Sequence, residues 1–366
     1  MGFSCGIVGL PNVGKSALFN ALTATEAAEA TKYPFSTREA NVGRVAVPDA
    51  RLEVCARLAK SARIVPTQME FVDIAGLVRG ASKGQGLGNQ FLGRLREVDA
   101  IAHILRCFED DNVVHVEGSV DPIRDAETVE TELMLADMES LERRLDASQK
   151  RARGGDKEAR ALLAVIEPVL AGLEDGVPAR RIELSDEQRA EARPLQLLSA
   201  KPVLYIANVG EDAATSGNEM SRRVVEYAAA QGAETVVIAA GIEAELALIA
   251  DTGERREFLA ALGLNETGLD QVIRAGYSLL DLITFLTAGP KEARAWTIPR
   301  GTKAPRAART IHSDIEKGFI RAETISYADF VACGGEQGAK EAGKMRLEGA
   351  DYLVADGDVM HFRFNV

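Results

Sequence analysis

The feature that most constrains this chain is the octet Gly9-Leu10-Pro11-Asn12-Val13-Gly14-Lys15-Ser16. It fits G-x-x-x-x-G-K-[ST] in full, follows the apolar run 3–9 (FSCGIVG) and precedes the helix-like SALFNALTAT. A strand, a glycine loop and a helix in that order make a phosphate-binding loop. Gly9 and Gly14 let backbone amides turn inward to cradle phosphates. Lys15 brings a point charge to the β- and γ-phosphates. Ser16 offers a hydroxyl to Mg²⁺, which otherwise keeps waters and phosphate oxygens. The residues therefore specify a nucleoside triphosphatase.

Further apolar runs follow at 69–75, 100–108, 202–208 and 234–240, with a more polar one at 41–47 that reads as an edge strand. Near-continuous apolar strands separated by helical patterns predict a parallel sheet covered on both faces, an α/β fold. The alternation breaks between about 129 and 200. There Met134, Met138, Leu141, Leu145 and Ser148 step by 4-3-4-3, and Leu162, Ile166, Val169 and Leu173 step by 4-3-4. Gly154-Gly155-Asp156 lies between the two seams, so the segment reads as an antiparallel helical hairpin. Beyond 281, residues 294–299 read as a strand, Gly301 to Pro305 as a turn and 307–317 as a helix. Residues 351–364 read as two strands around Asp356-Gly357. This predicts a small α+β module, and 366 residues suit two or three domains.

Asp73-Ile74-Ala75-Gly76 ends the strand MEFVDIAG about 60 residues after the loop. Asp73 can hold magnesium through a water, and the Gly76 amide can meet the γ-phosphate. Between them, Thr37 is a candidate to complete the magnesium shell, with Ser36 its competitor and an ordinary turn residue the alternative. Leu77 stands where Ras-like enzymes carry glutamine and cannot orient water, so hydrolysis must be slow, use another group or need a partner. His115, in DDNVVHVEG, is a candidate replacement; a purely structural histidine is the alternative. Gly80 to Asn89 is glycine-dense and reads as a switch loop. At the strand end of PVLYIA, Asn208-Val209-Gly210-Glu211 stands in place of the guanine-reading N-K-x-D. The lysine is missing and the carboxylate sits one methylene further out, which weakens guanine preference without by itself selecting adenine.

GLPNVGKS, EFVDIAGLVRGASKGQGLGNQFL, RCFEDDNVVHVEG, YIANVGED, RAWTIPRGTKAPRAARTIHSDIEKGFIRAETI and GEQGAKEAGKMRLEGADYLVADGDVMHFRFNV together resemble the YchF subfamily of Obg-like ATPases over essentially the whole chain. The resemblance implies a Ras-like P-loop domain (1–128 and 200–280), an inserted antiparallel coiled-coil hairpin (129–199) and a C-terminal TGS domain of ubiquitin-like β-grasp form (281–366). It implies ATP preferred over GTP, a nucleotide site of Asn12, Val13, Gly14, Lys15, Ser16, Ala17, Asn208, Val209 and Glu211, and switch contacts from Thr37, Asp73, Gly76 and Leu77. Lys15 and His115 carry catalysis in this reading, and Ser16 and Thr37 ligate Mg²⁺. Asn12 resembles the asparagine of potassium-activated relatives, implying K⁺ as a second cation. Ala17 departs from the commoner threonine, a change that a small residue at this position should tolerate.

Charge and composition bear on partners. A net charge of −12 argues against general polyanion or DNA binding. Four cysteines without a CxxC pair argue against a zinc site or disulfide framework and fit a reducing cytoplasm. There is no run of 18 apolar residues and no signal pattern, so neither membrane nor export is expected. A monomer is expected. Two basic stretches stand out, 143–160 with net +4 and 291–309 with net +5. Charge alone leaves a solvated surface as the alternative; the resemblance, whose family is associated with ribosomes and translation, favours a grip on ribosomal RNA.

Overall fold

The structure is a computed structural model that describes residues 3–30, 42–74, 87–249 and 251–365. Its strands in chain order are β1 (Phe3–Val8), β2 (Val42–Ala46), β3 (Ile64–Val65), β4 (Gln68–Asp73), β5 (Ala100–Cys107), β6 (Val203–Val209), β7 (Glu234–Ile238), β8 (Leu282–Ala288), β9 (Ala293–Pro299), β10 (Phe319–Ile325), β11 (Arg346–Glu348) and β12 (Val359–Phe364). The first helices are α1 (Lys15–Ala30), α2 (Ala50–Ala59), α3 (Leu87–Glu97), α4 (Pro122–Arg153) and α5 (Lys157–Glu174). The chain divides into two compact units, Met1–Arg44 with Glu70–Val272, and Val45–Met69 with Ile273–Val366.

The first unit is built on a sheet of order β2-β4-β1-β5-β6-β7. β1 pairs with β5, β5 with β6 and β6 with β7, all parallel. Every residue of β5 and β6 is buried, as near-continuous apolar strands in a two-sided parallel sheet require. β2 takes the edge expected of the more polar run. Consecutive β5 and β6 bring the carboxyl ends of both beside that of β1, which is where an open α/β sheet binds its ligand.

The hairpin grows out of this unit. Asp121 caps α4 by accepting from Ile123 and Arg124 amides, and Pro122 opens the helix with a preset φ. Gly155 turns the chain at φ 90°, and Asp156 caps α5 through the Ala159 amide. The predicted seams meet: Leu141, Val165, Ile166, Val169 and Leu173 form one core, against which Met134, Met138, Leu145 and Leu162 pack. The root is polar and buried. Asp137 on α4 accepts from the amides of Leu198 and Ser199 at 2.8 Å each and from the Ser199 hydroxyl at 2.7 Å. Arg180 pairs with Glu130 at 2.6 Å. Lys201 donates to the carbonyls of Arg96 and Val98 and so caps the carboxyl end of α3.

The second unit is a mixed sheet of order β11-β10-β12-β8-β9-β3. One face packs Ala304, Ala307 and Ala308 of the helix Ala304–Ile311 against Ile283, Phe285, Met360 and Phe362. The other packs Leu52, Cys55 and Ala56 of α2 against Leu286, Ala295, Ile325 and Phe330. This differs from the sequence expectation, which left residues 45–69 with the nucleotide domain. The apolar stripe of α2 finds its partners more than 200 residues later, and β3 adds itself to β9. The expected strand pair over 351–364 is also corrected. Only Val359–Phe364 is a strand. Leu353 makes a single bridge to Lys303, and Asp356 leaves the ladder to receive Arg51 at 2.8 Å and the Thr284 amide. The helix expected over 307–317 starts at Ala304 and divides at His312. Among the described residues no helix is long and apolar enough to cross a membrane.

Candidate functional site

The phosphate loop joins β1 to α1. Its glycines answer to close approaches. A Cβ on Gly9 would stand 2.5 Å from the Ile104 carbonyl, and one on Gly14, at φ 104°, would stand 2.4 Å from Asn208 Nδ2. Asn12 holds φ 62°, a left-handed conformation asparagine tolerates. Val13 is buried, whereas Ser16 opens its hydroxyl to solvent and Ala17 is half-buried.

Lys15 is buried, and Nζ donates to the carbonyls of Gly9 at 2.9 Å and Leu10 at 2.6 Å. Burial pushes its pKa down to about 8, with the charge of Asp73 opposing. Burial likewise raises the Asp73 carboxyl, and Lys15 opposes. The lysine is thus a desolvated ammonium with a carboxylate for a neighbour and two carbonyls for partners. A phosphate oxygen would replace those carbonyls with full charge. Because the folded pKa lies below the unfolded one, the stability linked to Lys15 is present above 10.5 and lost as pH falls through 8. A bound triphosphate restores the charged form, so binding takes up a proton. At pH 8.5 roughly three quarters of Lys15 is neutral, against about a tenth at pH 7. Calorimetry of ATP binding in buffers of different ionisation enthalpy should therefore show more than half a proton taken up at pH 8.5 and little at pH 7. Equal uptake at both would remove the lysine from this account.

Asn208 does not face outward to read a base. Its Nδ2 donates to the Val13 carbonyl at 2.9 Å and its Oδ1 accepts from the Ala240 amide at 3.0 Å, both buried. It clamps the phosphate loop to the segment after β7. Val209 is buried, and Glu211 is exposed at the next turn. Its carboxylate stands 2.9 Å from where a Gly241 Cβ would be. Ala240 and Gly241 thus lie against Asn208 and Glu211. They were missed in sequence, where a glycine directly after a strand was the available signal.

A second support lies under β5. Arg106, 1% exposed, donates to the carbonyls of Phe108 at 3.0 Å, Val113 at 2.8 Å and Asp110 at 3.2 Å. It fixes the loop that carries His115. Asn12 Nδ2 donates to the Val114 carbonyl at 3.0 Å, tying that loop to the phosphate loop. His115 is buried, with Nε2 2.8 Å from Asp125 Oδ2, while Nδ1 accepts from the Glu117 amide at 3.2 Å. The proton therefore sits on Nε2, and Asp125 fixes the tautomer. Both nitrogens are engaged, Nε2 by Asp125 and Nδ1 by the Glu117 amide. Neither Arg106 nor Asp125 was singled out in sequence; for Arg106 the available signal was a lone charge in an apolar strand. Thr37, Gly76, Leu77 and the glycine-dense stretch up to 86 lie outside the described residues.

Residues 4–134 match the family model MMR_HSR1, described as a 50S ribosome-binding GTPase. Residues 282–365 match YchF-GTPase_C, described as a protein of unknown function (DUF933). Over 366 residues, all of both chains, the sequence is 57% identical to a Haemophilus influenzae protein named Ribosome-binding ATPase YchF. The chain belongs to the YchF family. A Bacillus subtilis YchF protein of the same name is 53% identical, again over the whole of both chains. The solved YchF GTPase of Schizosaccharomyces pombe superposes with a TM-score of 0.89 at 36% identity, covering 99% of this chain and 97% of that one. A GTP binding protein from Pyrococcus horikoshii, at 20% identity and a TM-score of 0.61, shares the fold. The YchF architecture seen here is thus a Ras-like P-loop sheet with a further C-terminal domain, as the sequence predicts.

Proposed function

We propose that the chain is a slow, magnesium-dependent ATPase that binds the ribosome in the cytoplasm and changes state with its nucleotide. The observation that carries the chemistry is Lys15, desolvated, coupled to Asp73 and held by loop carbonyls that a phosphate would displace. The relatives matched over their full length are named ribosome-binding ATPases, which supports both the reaction and the partner. The C-terminal unit is taken as the TGS domain.

The residues suit magnesium. Ser16 exposes a hydroxyl at the start of α1, and Asp73 is half-buried at the end of β4. A hydroxyl and a carboxylate acting through water are what Mg²⁺ asks of a protein that also supplies phosphates. Thr37 is the proposed second ligand. Held by these residues, the ion would supply positive charge against the negative charge that develops on the phosphates. With Nδ2 of Asn12 given to Val114, its Oδ1 is the atom left for K⁺. Gly76 and Leu77 are assigned the γ-phosphate contact. His115 is assigned the attacking water: Nε2–H stays on Asp125, and Nδ1, once free of the Glu117 amide, is the basic nitrogen.

Base preference follows from Asn208-Val209-Gly210-Glu211. With Asn208 committed to Val13 and Ala240, discrimination falls to Glu211 beside Gly241. Competition of ATP and GTP against a fluorescent ADP analogue, with Mg²⁺ and K⁺ present, should favour ATP about tenfold, or ~1.4 kcal/mol. GTP binding tighter than ATP would withdraw the substrate assignment and leave a GTPase.

A further inference from the structure

The bonds around His115 continue beyond its ring. Asp125 lies in the first turn of α4 and is 1% exposed. A carboxylate there suits the helix dipole, but Asp121 already caps the helix and an exposed side chain would serve the dipole as well. Burying a carboxylate is costly unless its oxygens are answered. Here both are. Oδ2 meets His115 Nε2 at 2.8 Å, and Oδ1 accepts from Arg124 Nε at 3.3 Å and Nη2 at 3.1 Å. Because His115 Nδ1 accepts from the Glu117 amide, the ring proton lies on Nε2 and Asp125 is the acceptor. Burial raises the Asp125 carboxyl, and His115 and Arg124 oppose that rise.

Arg124 is itself anchored. Nη1 donates to the Ser119 hydroxyl at 3.0 Å and Nη2 to the Ser119 carbonyl at 2.5 Å. A guanidinium has donors alone, so any side chain at 125 has to present an acceptor to it. A carboxylate still has a second acceptor for Nε2–H. An amide does not. With its oxygen on Arg124, its NH₂ faces Nε2, which then has to accept. The ring proton moves to Nδ1, opposite the Glu117 amide, and Nδ1 loses its lone pair. A carboxylate-to-amide change beside a catalytic imidazole acts in this way, through the wrong tautomer.

We propose that Asp125 is a positioning residue for ATP hydrolysis: it keeps the ring proton of His115 on Nε2 and the lone pair on Nδ1, and the fixed donors of Arg124 make a carboxylate obligatory at this position. The proposal rests on the reading of His115 as the group that serves the attacking water.

The test uses the full chain as parent, H115Q, D125N, H115Q/D125N and R124M/D125N. Single-turnover hydrolysis, ATP affinity, melting curves and ¹⁵N-histidine spectra of the ring nitrogens are measured for each. The chain has four histidines, and H115Q identifies the signals of His115. The parent should show the Nε2–H tautomer. H115Q and D125N should each slow hydrolysis about a hundredfold, and D125N should leave ATP affinity near the parental value. The D125N spectrum should show the proton on Nδ1. H115Q/D125N should be no slower than H115Q. Adding R124M to D125N frees the amide to turn its oxygen toward Nε2–H, so about tenfold of the lost rate should return. A bond that merely pins the loop predicts the reverse, a double variant weaker than D125N. A parent with the proton on Nδ1 overturns the proposal even if D125N does not fold. So does near-parental hydrolysis by D125N, an unchanged tautomer in D125N, or no recovery in R124M/D125N; with H115Q still slow, each of these leaves His115 in its assigned role. Parental hydrolysis by H115Q instead withdraws that assignment, and the proposal with it.

Discussion

Replacing Lys15 with alanine is expected to lower ATP turnover about a thousandfold at saturating ATP, a loss of ~4 kcal/mol in the transition state. The reason lies in what the side chain does in each state. Its ammonium donates to two backbone carbonyls at a desolvation cost large enough to lower its pKa to about 8. Alanine removes the desolvated charge together with its two hydrogen bonds, and the two losses offset one another, so the folded state should stay near its parental stability. In the loaded loop no other cation among the assigned site residues reaches the β- and γ-phosphates. Affinity for ATP should fall as well, but less than turnover, because charge builds on the transferring group as reaction proceeds. Single-turnover hydrolysis with a parallel melting curve checks this. Turnover within tenfold of the parent, in a folded variant, would show that the loop does not carry the chemistry.

The largest effect on stability is expected at Arg106. An Arg106→Met variant keeps much of the packing volume but strips the donors from the carbonyls of Phe108, Asp110 and Val113. Each charge-assisted hydrogen bond lost from a buried site costs about 1–3 kcal/mol. With the three partners sharing one guanidinium, a total of about 3–5 kcal/mol is reasonable. For a unit of this size that is a fall in Tm of about 10 °C or more, measured by calorimetry without nucleotide. ATP should recover part of it if the 108–118 loop bears on the site through Asn12 and Val114. A shift under 2 °C would mean that the loop is held by other contacts.

Much of this was legible in sequence because its signals are local. The phosphate loop, the Asp73 strand end, the helical seams about Gly154-Gly155 and the strand runs of the first sheet each rest on neighbours within a few residues. What was not legible depends on distant partners. The stripe of α2 predicts a helix, yet nothing in it says that Leu52 and Cys55 pack against Leu286 and Phe330. The pair Asp356-Gly357 looks like a hairpin turn until Arg51 claims the aspartate. Counting charges along 291–309 cannot see Asp281, Asp351 or Glu316, which pair with Arg300, Lys303 and Arg309. Asn208 was recognised from a base-reading motif, but its committed hydrogen bonds to Val13 and Ala240 are tertiary and make it a clamp. For His115, the chain pattern left a choice that its two bonded nitrogens describe more fully.

The root of the hairpin has a mechanical consequence. Asp125 binds His115 within the first turn of α4, and Asp137 staples the same helix to the return segment a little over three turns on. From Asp125 to Arg153 the helix runs on the order of 42 Å at 1.5 Å per residue. It is an arm pinned at two points near its root, Asp125 and Asp137. The part free to swing runs from Asp137 to Arg153, on the order of 24 Å, and a rotation of about 10° there would carry the tip about 4 Å. The length of the arm beyond Asp137 therefore enlarges at the tip any change of direction made at the root.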